Sequence, residues 1–126
     1  MIHRLFGLLL MLALLAGCAP PDDAPKAIEN YLQALVAKDR DSFVKRFCAA
    51  FEADALIEFD SFGAVEARLD GVDCRQTGTD GEAALVSCTG SIAVTYQGED
   101  NQALSLEDNL YRAVREGGEW KMCGYQ

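Results

Sequence analysis

The chain has 126 residues and carries 20 acidic against 11 basic side chains, for a formal net charge of −9. That length holds one domain with a single core and not two. The charge repels nucleic-acid phosphates and anionic lipid headgroups, so nucleic acid is not expected as a partner, and a membrane is expected only through some other attachment.

The chain opens with one basic side chain, Arg4, followed by an uncharged run from Leu5 to Ala16. A helix of about 12 residues rises only about 18 Å, short of the roughly 30 Å hydrocarbon core. The run therefore reads as a cleaved signal rather than a transmembrane anchor. Its end, Leu15-Ala16-Gly17-Cys18, resembles the lipobox of bacterial lipoproteins. The resemblance implies cleavage after Gly17, a diacylglycerol thioether on Cys18 and a palmitate-type chain on the new amino terminus. Two or three acyl chains make a stable anchor where one is marginal. Residues 1–17 are then the signal peptide, 18–24 a lipidated tether and 25–126 the domain. Ala19 stands where an aspartate would favour the inner membrane, so the expected location is the exported side of the envelope, on the outer membrane if the source has one.

About 109 residues follow the cleavage site, and after Cys18 they contain Cys48, Cys74, Cys88 and Cys123. An even count in a small exported domain predicts two disulfides. No CxxC pair is present, which argues against a thioredoxin-like motif or a zinc knuckle. The single histidine, His3, belongs to the signal. A mature chain without imidazole excludes Ser-His and Cys-His catalysis and His-ligated metals. No catalytic residue, cofactor or metal is assigned.

Ala19 to Ala24 reads as a tether, with Asp22 or Asp23 capping the first helix and Pro25 in its first turn. Ile28, Tyr31, Leu32, Leu35 and Val36 recur at helical spacing, so the helix runs to about Lys38. Lys38-Asp39-Arg40-Asp41 is a polar corner with Asp41 as an N-cap. Phe43, Val44, Phe47, Cys48 and Phe51 then mark a second helix. Leu56, Ile57, Phe59 and Phe62 mark a third, ending near Ala67. From Val72 the period becomes two. A short strand covers Val72 to Gln76, Gly78 to Gly81 forms a turn, and a long strand runs from Ala83 to Gln97. Val86, Cys88, Ile92, Val94 and Tyr96 lie on its inner face. Leu104, Leu106, Leu110 and Val114 mark a third strand, and Glu119 to Tyr125 a fourth after the Gly117-Gly118 turn. This is an α+β fold: two to three N-terminal helices on a curved, four-stranded antiparallel sheet.

Three features are similar to the nuclear transport factor 2-like superfamily. They are the helix Ile28 to Val36, the corner Lys38-Asp39-Arg40-Asp41-Ser42-Phe43, and the ending Val114-Arg115-Glu116-Gly117-Gly118-Glu119-Trp120-Lys121-Met122-Cys123. The resemblance implies a cone-shaped domain over roughly Pro25 to Gln126, the fold of ketosteroid isomerase and polyketide cyclases. It also implies pairing into homodimers through the sheet face.

Cys74 and Cys88 flank a turn with matching parity, across a loop of about three residues near Gly81. This favours Cys74–Cys88 with Cys48–Cys123. The pairing Cys48–Cys74 with Cys88–Cys123 stays open. Asp108 and Arg112 interrupt the apolar rhythm of the third strand, and strand parity points Asp108 into the cone. Tyr96 and Trp120 complete a candidate pocket for an apolar ligand. The expected function is a non-catalytic, lipid-anchored envelope domain that binds an envelope protein or a small apolar ligand. The alternatives are a small isomerase- or cyclase-type enzyme using Asp108, and a purely structural dimer subunit.

Overall fold

A computed structural model describes residues 23–126, the side chains of residues 100 and 101 excepted. The signal peptide, the lipobox with Cys18, His3 and the greater part of the tether lie outside the described residues. A helical part packs on one open antiparallel sheet of five strands.

Helix α1 spans Ala24–Ala37. The Asp23 carboxylate caps it by accepting from the Lys26 N–H at 2.8 Å, and Lys38 closes it in the left-handed conformation. Its apolar stripe, including Ile28, Tyr31, Leu32 and Leu35, is fully buried against the sheet. The corner that follows is capped by Asp39 and not Asp41, through the Ser42 N–H at 3.2 Å.

The expected second helix is one turn long, α2 at Arg40–Phe43. Beyond it the chain leaves the helix, and Phe47 forms a parallel bridge with Met122. The Met122 N–H donates to the Arg46 carbonyl at 2.9 Å, and the Cys48 N–H to the Met122 carbonyl at 2.8 Å. The apolar spacing from Phe43 to Phe51 is helical, but pairing with the sheet edge satisfies the same backbone groups, and tertiary context overrides the local pattern. Val44, expected inside, is 44 % exposed. A 3-10 turn, Ala49–Phe51, leads into α3 at Glu52–Ser61, which carries Glu52 and Asp54 in its first turn. Helix α3 stops well before Ala67. Ile57 is 70 % exposed, while Ala55 is buried in its stead.

Strand β1 is far longer than the expected Val72 to Gln76, running Glu66–Asp80 along the whole of β2, Ala83–Tyr96. The loop between them is a two-residue turn, Gly81 and Glu82, with the extra residue absorbed as a bulge near Thr77. A second bulge near Gly71 and Val72 faces Gly90. A Cβ on Gly90 would lie 2.6 Å from the Asp70 and Gly71 carbonyl oxygens, and its φ is +96°, so only glycine fits this bend.

The single expected third strand is two: β3 at Glu99–Ser105 and β4 at Leu110–Glu116. They lie end to end along one edge of β2, β3 on its far half and β4 on its near half. The break comes where the Leu106 N–H donates to the Gly90 carbonyl at 3.0 Å and the Ser105 hydroxyl accepts from the Glu107 N–H at 3.2 Å. Strand β5, Glu119–Tyr125, follows the Gly117-Gly118 turn, whose two positive φ angles suit a tight hairpin.

Candidate functional site

The space between sheet and helices is filled with rings. Phe43 lies 4.9 Å from Tyr31, 5.3 Å from Phe47 and 4.8 Å from Phe59 between centroids. Tyr31, Phe43 and Tyr111 are fully buried. Leu106, Met122 and Val86 close the remainder.

A half-buried acid on α3, Glu58, reaches the edge of this interior. Both of its carboxylate oxygens accept from the Tyr125 hydroxyl, at 2.9 and 2.8 Å, and Oε2 also accepts from the Tyr31 hydroxyl at 3.2 Å. Tyr111 stacks beside Tyr125 at 5.3 Å, so three of the four tyrosines of the chain gather around one carboxylate. Burial pushes the Glu58 carboxyl above its ordinary value, against the two phenol hydrogen bonds that pull it down. The same burial, joined by the nearby Glu58 charge, drives the Tyr31 and Tyr125 hydroxyls far up, so both stay protonated donors. The nearest element to the α3 backbone is the 3-10 turn before it. Glu58, the Phe43–Phe59 contact, the buried Ala55 and the Arg40–Asp60 ion pair together tie α3 to the rest of the domain.

Sequence parity conceals this cluster. In a regular strand Tyr125, three residues after Met122, would face away from the core. The register shift between Tyr111 and Ala113 places one extra residue in β5 around Gly124, whose φ is +115°. Tyr125 thereby pairs with Tyr111 on the face that also holds Met122. Gly124 in an otherwise regular strand was the available signal. Glu58 could have been found three residues after buried Ala55, but the stripe expected through Leu56 and Ile57 turns the helix the wrong way.

The candidate pocket does not assemble. Asp108 sits in the exposed turn between β3 and β4 and not inside a strand, because the strand ends at Ser105. Arg112 lies on the outer face, donating at 2.6 Å to both Asp80 and Gln126 and so clamping the β1–β2 turn to the chain end. Tyr96 is 44 % exposed at the far end of β2. Trp120 is half-buried beneath the Arg115 guanidinium, 5.1 Å from its ring.

The four cysteines pair as Cys48–Cys123 and Cys74–Cys88. Cys74 and Cys88 face each other directly across β1 and β2. Cys48–Cys123 locks the Arg46–Cys48 segment along β5. Among the described residues, no cluster of three or more Cys, His, Asp or Glu side chains is placed to hold a metal ion, and no helix is long and apolar enough to cross a membrane. No protein-family model, no curated protein and no solved structure matches the chain.

Proposed function

We propose that this chain is a lipid-anchored, exported domain of the bacterial cell envelope that works by binding and not by catalysis. The observation that carries the non-catalytic part is the filled interior. Where an enzyme of cone shape would keep an open cavity, Phe43 is packed on three sides by other rings. The half-buried acid at its edge, Glu58, has both oxygens engaged by protein hydroxyls.

The α+β arrangement supports assignment to the nuclear transport factor 2-like architecture, with helices laid across a bent antiparallel sheet. The two disulfides support an oxidising, exported compartment. The lipobox at Cys18 supports anchoring, on the outer membrane where the source has two membranes.

Two measurements test the reading. Metabolic labelling with a fatty acid should mark the wild type, and Cys18→Ser should lose the label and move to the soluble fraction. A wild-type protein that never takes up label removes the anchor. For the second, isomerisation or proton exchange of a carbonyl compound, abolished in Glu58→Gln while the fold persists, would show that the interior opens and that the domain is an enzyme.

A further inference from the structure

The binding reading leaves open what is bound, and one crevice in the surface has the chemistry to answer. It lies between α1, the segment after α2 and the start of β5, encloses about 260 Å³, and is lined by Ala27, Asn30, Lys45, Arg46, Glu119 and Trp120. In a chain of net charge −9 it brings two adjacent cations together. Six other basic residues, Lys26, Lys38, Arg40, Arg75, Arg112 and Lys121, each lie within 4.0 Å of a carboxylate. Lys45 and Arg46, like Arg68 and Arg115, have no ion pair among the described residues; the Arg46 Nη2 donates to the Ser42 hydroxyl at 3.5 Å, while its buried Nε has no hydrogen-bond partner there. A buried guanidinium N–H without an acceptor is costly, and such groups call for an explanation.

The walls are held in place before any ligand arrives. The Arg46 carbonyl accepts from Met122, the Cys48 N–H donates to Met122, and Cys48–Cys123 fastens the same segment to β5. Asn30 and Ala27 stand on the well-capped α1. Rigid supports of this kind favour a preorganised site.

We infer that this crevice binds a small organic monocarboxylate, its carboxylate on Arg46 and Lys45 and its body against Trp120 and Ala27. The planar guanidinium matches a carboxylate in a bidentate fork. Lys45 and Arg46, with the Arg115 guanidinium over the Trp120 ring, outnumber the single carboxylate of Glu119, so the crevice is net positive and suits an anion. The indole and the Ala27 methyl call for an apolar body, and Asn30 offers an amide to a polar group on it. The volume is roughly that of eight or nine waters in the liquid, so the ligand is of amino-acid size. This inference rests on the domain being a binding module, and it is independent of how the domain is anchored.

Trp120 is the only tryptophan of the chain, so its fluorescence reports on the crevice alone. The full chain, solubilised in mild detergent, is titrated with N-acetylalanine, its uncharged amide N-acetylalaninamide, and inorganic phosphate. N-acetylalanine should give a saturable change of about millimolar midpoint, as expected of so small a ligand. The amide should be at least about tenfold weaker, the loss of one charge-assisted contact, and phosphate likewise, since it has no apolar body to set against Trp120 and Ala27. Lys45→Glu, at an exposed position that leaves the fold intact, should weaken the acid about tenfold or more, and Arg46→Lys should retain part of the affinity. Equal response to acid and amide, equal response to phosphate, or unchanged binding in Lys45→Glu would each overturn the assignment. So would the absence of any saturable change, an outcome that leaves the labelling test of the anchor untouched.

Discussion

Glu58→Ala is the change that tests most directly how this domain is held together. It removes the acceptor of two phenols at once, and the two losses differ. Tyr31 is fully buried, so its hydroxyl is left without a partner, whereas Tyr125 is 41 % exposed and can turn to water. An abandoned buried donor costs about 1–3 kcal/mol and a rehydrated one about 1, giving about 2–4 kcal/mol together. Relief from burying the Glu58 charge offsets some of this and favours the lower end. At about 4–8 °C per kcal/mol for a domain of this size, a cost of about 2 kcal/mol should lower the melting temperature by roughly 8–16 °C. Circular dichroism measures the fall, and hydrogen exchange should show the α3 amides losing protection before those of β1 and β2. Glu58→Gln retains one acceptor oxygen and should cost about 1 kcal/mol. The pH dependence separates the two effects of the carboxyl. Because the folded Glu58 holds its proton above the ordinary value of 4.5, the native state binds more protons than the unfolded state above that value. Its contribution is fully present below about pH 4.5 and is lost as the pH rises through the folded value. The stability of wild type relative to Glu58→Gln should therefore decline over that window and then level off. An unchanged melting temperature and unaltered α3 exchange in Glu58→Ala would falsify the view that this carboxylate helps tie α3 to the core.

The phenols make a related prediction at the other end of the scale. Tyr31, Tyr111 and Tyr125 are all pushed above the usual 10.0, chiefly by burial, so phenolate absorbance from these three should appear only as the domain unfolds in alkali. For the disulfides, non-reducing peptide mapping should recover Cys74 joined to Cys88 and Cys48 to Cys123. Chain entropy assigns about 4.5 kcal/mol to the bond of sequence separation 75 and about 3 kcal/mol to that of separation 14, so Cys48→Ala with Cys123→Ala should lower denaturant stability more than the other double variant. Gly90→Ala should cost about 3 kcal/mol or more, from the left-handed φ together with the 2.6 Å approach to two carbonyl oxygens; soluble, equally stable Gly90→Ala protein would contradict the bend described here.

Where local chemistry decides, the sequence alone sufficed. The stripe from Ile28 to Leu35 set the first helix, because its apolar residues have no other periodic arrangement that buries them together. The alternation from Ala83 to Tyr96 set the long central strand and, from Val86 to Ile92 but not at Tyr96, its inner face, and Gly117-Gly118 set the last hairpin. The facing parity of Cys74 and Cys88 already favoured the bond that joins them. What only the tertiary structure decided are the places where one segment's backbone is satisfied by another. Residues 46–48 have helical spacing but spend their hydrogen bonds on Met122, which ends α2 after one turn. Gly90 offers its carbonyl to Leu106, which divides the expected third strand and carries Asp108 out to solvent. The extra residue at Gly124 turns Tyr125 inward to meet the half-buried carboxylate of Glu58. A bulge inverts strand parity without changing composition or spacing, so its consequence for which side chains meet is written in the pairing of strands and not in either strand by itself.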